Sequence, residues 1–83
     1  MTAPDRWLRK DGTVVSCTES VKVLTETWEE TETALQDFFE DAVLLGVAKA
    51  EWKAKLHEMI DALECDYEEK TAPAEALPPK GKR

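Results

Sequence analysis

The residues best equipped for chemistry in this 83-residue chain are one histidine, His57, and two cysteines, Cys17 and Cys65. Asp61 and Glu64 follow His57 at about one and two helical turns. A helix there would set an imidazole and two carboxylates along one flank, the donor types of a metal site. Ferritin-like hairpins place a Glu three residues before the His and add a Glu from the neighbouring helix. Here that position is Ala54, so the donor set is incomplete. His57 is read as a solvent-facing residue, with no metal and no cofactor expected.

Cys17 stands at the expected start of a helix, whose positive end favours the thiolate. A cysteine nucleophile also needs a base, and His57 falls far along a second helix, near the level of Gln36. Glu64 and Asp66 flank Cys65 and oppose its ionisation. The sequence contains no glycine-rich phosphate loop, no CxxC and no Ser/His/Asp set in a structural context. The chain is therefore expected not to be an enzyme. A metal- or redox-linked role through His57 or Cys17 is the weaker alternative.

These residues hang on a longer pattern. Val21, Leu24, Trp28, Thr31, Leu35, Phe38, Ala42 and Leu45 recur at steps of three and four, the a/d seam of a heptad repeat. Ser16-Cys17-Thr18-Glu19 just before it has the form of a capping box, and Gly46 can supply the left-handed residue that ends a helix. A first helix is expected over about 17–45. After the short link Val47-Ala48, a second is expected over about 49–68, with Trp52, Leu56, Met59, Ile60 and Leu63 on its apolar face. So short a link favours an antiparallel hairpin. Its expected core is Val21, Leu24, Trp28, Leu35, Phe38, Ala42 and Leu45 against those five residues, loosening toward the open end where Asp66 falls on the seam. Cys17 and Cys65 would then be too far apart to bridge.

Flanking segments differ in composition. In 1–15, Asp11-Gly12 between Trp7-Leu8 and Thr13-Val14-Val15 signals a β-turn, so this arm is expected to be loose or a short ribbon that leans Trp7 or Val14 on the helices. Residues 71–83 are dominated by Ala, Pro, Lys and Gly and are expected to be a disordered tail.

The net charge is −7, and 17–46 hold eight carboxylates against one lysine. Direct nucleic-acid binding through that surface is disfavoured, because phosphate contacts need clustered Lys and Arg. No apolar run approaches the ~20 residues that cross a bilayer, and 1–10 lack the form of a secretory leader. A cytoplasmic protein with no membrane contact is the expectation.

Phe39, Val43 and Leu44 are apolar but lie off the seam, more than one partner helix can cover. The fold expected is all-α: a coiled-coil-like two-helix hairpin over 16–70, pairing with a second copy into a four-helix bundle. Alternatively the patch meets another protein, or Trp7 folds back over it. The function expected is that of an accessory, adaptor or regulatory protein. In an alternative reading the acidic helix mimics nucleic acid and inhibits a DNA- or RNA-binding protein.

Overall fold

The computed structural model describes residues 3–71, with extents of 56 × 24 × 17 Å. It contains two helices, α1 (Thr18–Leu44) and α2 (Lys49–Asp61), preceded by an arm with an isolated antiparallel bridge between Leu8 and Val14. The expected tail at 72–83 lies outside the described residues.

The arm is shaped by its turn. Gly12 N donates to the Arg9 carbonyl at 2.9 Å, Arg9 N to the Thr13 carbonyl at 2.7 Å, and Val15 N to the Trp7 carbonyl at 2.8 Å. Gly12 has φ +87°, the left-handed position that closes a three-residue hairpin loop after a type I turn. Asp11 Oδ1 accepts from the Thr13 N–H at 3.0 Å and from its hydroxyl at 2.6 Å. Across the ribbon, Arg9 Nη1 donates to the Val14 carbonyl at 2.8 Å. Local polar bonds thus hold a segment too short to persist on strand pairing alone.

Helix α1 has 27 residues and rises ~40 Å. Its start differs from the expected capping box. Cys17 is the N-cap, with extended backbone (φ −61°, ψ 126°), and no side-chain hydrogen bond caps the helix. The frame is one residue later than Ser16 requires, so Ser16 lies outside the helix. The C-terminus follows the glycine rule closely. Gly46 adopts φ +107°, its N–H donates to the Val43 carbonyl at 3.0 Å, and the Val47 N–H donates to the Ala42 carbonyl at 2.9 Å. This pair of bonds is the Schellman motif.

Helix α2 has 13 residues and ends at Asp61, about two turns before the expected limit near 68. No basic residue occupies its last turn, and Asp61, Glu64 and Asp66 crowd the negative end of the helix dipole. Cys65, Asp66 and Tyr67 are also weak helix formers. These residues are exposed, so no burial offsets those preferences.

The helices meet through aromatic rings. Trp52 lies 4.7 Å from Phe39, tilted by 36°, and 5.4 Å from Phe38, edge to face. Trp7 of the arm packs edge to face on Trp28 at 5.8 Å. Ala42 and Leu56 are the buried apolar residues among those described.

Candidate interaction surface

Helix α1 presents a broad apolar arc, and only part of it is covered. The partly or fully buried positions are Val21, Leu24, Thr25, Trp28, Glu32, Leu35, Phe39, Ala42 and Val43. The a positions of the expected seam (Val21, Trp28, Leu35, Ala42) are kept, and Leu24 with them. Farther along, the d positions are replaced by their neighbours: Glu32 is covered in place of Thr31, and Phe39 in place of Phe38. Leu45, expected in the core, is 86% exposed and Phe38 is 52% exposed. The cause is that the cover arrives from one side. The arm reaches Trp28 and α2 reaches Phe39, so the shielded arc turns by about one residue toward them. A full a/d seam needs a partner centred on it along its whole length, and the short α2 does not provide one.

The apolar face of α2 opens at Met59, about two turns before Asp66, where loosening was expected. Trp52 is half-buried and Leu56 is buried, whereas Met59 is 52%, Ile60 54%, Leu63 72% and Tyr67 86% exposed. Met59, Ile60 and Leu63, all expected in the helix–helix core, therefore stand mostly in the open.

The three residues expected to meet a partner divide. Leu44 is exposed, Val43 is half-buried, and Phe39 is half-buried under Trp52 with Lys53 Nζ 5.6 Å from its ring centroid. Trp7 packs on Trp28, a position about three turns from Phe39 along α1. The uncovered apolar residues at the bend are Leu44, Leu45 and, in smaller part, Val47. The a/d rule missed Leu45 because it counts residues along one helix and not the width of what covers them.

Polar chemistry is sparse. The indole N–H groups of Trp7, Trp28 and Trp52 are each sealed from solvent with no acceptor among the described residues. An unmet buried donor costs about 1–3 kcal/mol. Among the described residues, Lys22 pairs with Glu26 at 3.8 Å and Lys55 with Glu51 at 3.2 Å, both local and exposed. Gln36 Nε2 donates to Glu40 at 2.8 Å.

His57, Asp61 and Glu64 are exposed, and no group of three or more metal-binding side chains occurs among the described residues. Cys17 and Cys65 are both free and exposed, and Cys65 Sγ lies 3.8 Å from the Tyr67 carbonyl. The Cys17 thiol is held below its ordinary pKa by nearby donors outside full bonding geometry, chiefly the backbone N–H of Ser20, then the Ser20 hydroxyl and the Glu19 N–H. These donors at the helix start stabilise the thiolate. No helix among the described residues is long and apolar enough to cross a membrane.

No family model matches the chain, and comparison with curated proteins and with solved structures finds no match.

Proposed function

We propose that this chain is a non-enzymatic protein-interaction protein, an accessory, adaptor or regulatory component whose helices form an antiparallel hairpin that completes its core by association. One observation carries the reading. Among the described residues, Ala42 and Leu56 are the buried apolar ones, while ten large apolar side chains, from Leu8 to Tyr67, are more than a third exposed. Small domains without a disulfide or metal need a dense core to fold alone. An open run such as Met59, Ile60 and Leu63 is the kind of surface that a second polypeptide covers.

Self-association is the first form of this reading. Two hairpins related by a twofold axis would bring the open ends of their α2 faces together and approach a four-helix bundle. Leu44 and Leu45 at the bend would extend that contact.

Sedimentation velocity combined with thermal melts across a hundredfold range of protein concentration tests it. Association raises both mass and melting temperature with concentration, and Met59→Glu with Leu63→Glu abolishes the rise. A monomer with a cooperative, concentration-independent melt would overturn the proposal, since the molecule would then be complete by itself.

A further inference from the structure

A second uncovered stripe runs along α1, and its surroundings specify what it accepts. At about 100° per residue, Val23, Thr27, Thr31, Ala34 and Phe38 fall within one quarter of the helix circumference. All five are exposed, Val23 by 56% and Phe38 by 52%. None of them is charged, on a helix where 17–46 carry eight carboxylates. From Val23 to Phe38 the stripe is ~22 Å long, about four helical turns. Small residues occupy its middle and large ones its ends, and an open depression lined by Glu19, Ser20, Val23 and Leu24 lies at the N-terminal end. Such a surface accepts a helix laid along it, with side chains entering beside Val23 and Phe38.

The two long edges of the stripe are unlike. One edge adjoins the covered arc, where Phe38 meets the ring of Trp52 at 5.4 Å. The other edge carries Glu19, Glu26, Glu30, Asp37 and Asp41, all exposed. Lys22 pairs with Glu26 at 3.8 Å from the far side of this row. A helix seated on the stripe therefore meets apolar and aromatic groups along one side and carboxylates along the other.

This asymmetry argues against a second copy as the occupant. An antiparallel twofold pair through the stripe sets each acidic edge against its own copy, with Glu30 near the axis, and like charges placed together oppose association. A parallel twofold pair sets the acidic edge against the side already occupied by the arm and α2.

We infer that the Val23–Phe38 stripe of α1 is a docking site for a basic amphipathic helix of another protein, about four turns long, apolar on one face with Lys or Arg along one flank of that face. The inference deepens the interaction reading and uses a surface separate from the α2 face assigned to self-association. The stripe supplies apolar burial, and the carboxylate row supplies orientation and encounter rate.

The test uses the full chain and three labelled synthetic peptides of about 18 residues, followed by fluorescence anisotropy at two salt concentrations. The first is a Leu/Lys helix with an apolar seam, the second has the same composition scrambled to destroy the seam, and the third has Glu in place of Lys. The seamed Leu/Lys peptide is expected to bind at least about tenfold more tightly than either control, a factor worth 1.4 kcal/mol. Phe38→Glu and Val23→Glu should each remove that advantage. Val23→Glu lies about four turns from Phe38 and its Trp52 contact, so it separates lost docking from lost folding. Glu30→Lys with Asp37→Lys should weaken binding and flatten its salt dependence.

Equal binding of the scrambled peptide would overturn the inference in favour of an acidic rod that attracts any polycation, the behaviour of a nucleic-acid mimic. Full affinity retained by Val23→Glu would overturn it too. Concentration-dependent mass that is lost in Val23→Glu would assign the stripe to a second copy. If the peptides fail while the Met59 and Leu63 variants still abolish self-association, this inference falls and the interaction reading stands.

Discussion

The two elements that cover α1 hold their places by different means. The N-terminal arm is shaped by its own polar bonds: Asp11 with Thr13, Arg9 with the Val14 carbonyl, and the backbone closure at Gly12. Its contacts with α1 include an aromatic pair, Trp7 on Trp28. Helix α2 is a plain 13-residue helix, shorter than most that persist alone in water, and its place depends on Trp52 against Phe38 and Phe39 with Leu56 buried beside them. The arm's shape is therefore set by bonds within the arm, whereas α2 depends on its docking.

This difference fixes the order of mutational effects. Trp52→Ala removes both ring contacts of α2, and large aromatic truncations cost about 3–5 kcal/mol in full cores; the half-buried site should lose ~3 kcal/mol. Far-UV circular dichroism should show α2 melting while the arm's amide protons keep their protection, and loss of protection in both regions together would erase the contrast. Trp52→Phe sharpens the point. It keeps a ring and deletes an indole N–H that meets no acceptor, so urea melts should place it within about 1 kcal/mol of the parent.

Trp7→Ala should cost less, ~1–2 kcal/mol, for the lost edge-to-face pair and its apolar area. Trp28 emission should shift to the red with no change in helical content. Glycine substitutions probe the joints at a similar or smaller scale. Gly12→Ala and Gly46→Ala meet no atom within 4 Å, so the cost comes from φ values of +87° and +107°, about 1–2 kcal/mol each. Hydrogen exchange should rise in the arm alone for Gly12→Ala. For Gly46→Ala it should rise through α2, because the Schellman bonds aim that helix.

The smallest effect is at Cys17. With Cys65 replaced by Ser, the pH midpoint of alkylation by iodoacetamide should fall below the usual thiol value of about 8.5, because Ser20 and Glu19 donors favour the thiolate. A folded-state pKa lowered in this way adds stability above the unfolded thiol pKa, and that stability is lost as pH falls through the folded value. Unfolding the chain in urea should return the midpoint to the ordinary range; an unchanged midpoint would show that the helix start does not act on the sulfur.

Much of the fold was legible because it is written over short distances. Gly46 and its neighbours announce the end of α1, and Asp11-Gly12 announces the turn of the arm. Each rests on φ values and hydrogen bonds within a few residues. The a positions Val21, Trp28, Leu35 and Ala42 were legible for the same reason, since a helical stripe is a property of one segment. The start of α1 was misread by one residue, as Ser16 and Cys17 compete for the cap and only backbone geometry decides between them. The extent of α2 was overestimated. Periodicity continues through Leu63, but the apolar contact that would offset the acidic end of the helix does not.

The candidate surface was legible as a surplus and not as a location. Counting apolar residues near the bend showed that one partner could not cover them all, which is a statement about quantity. Phe39 turned inward and Phe38 and Leu45 outward because Trp52 arrives from one side of α1.

By itself the sequence determined two helical segments, a glycine-ended first helix, an Asp-Gly turn signal in the arm and an acidic, apolar-striped rod. Each follows from interactions between residues close together in the chain. The tertiary structure decided which edge of that rod is sheltered and which is left open, and how far α2 survives. Those outcomes depend on the length and approach of elements remote in sequence, and burial is settled by where surfaces meet in space.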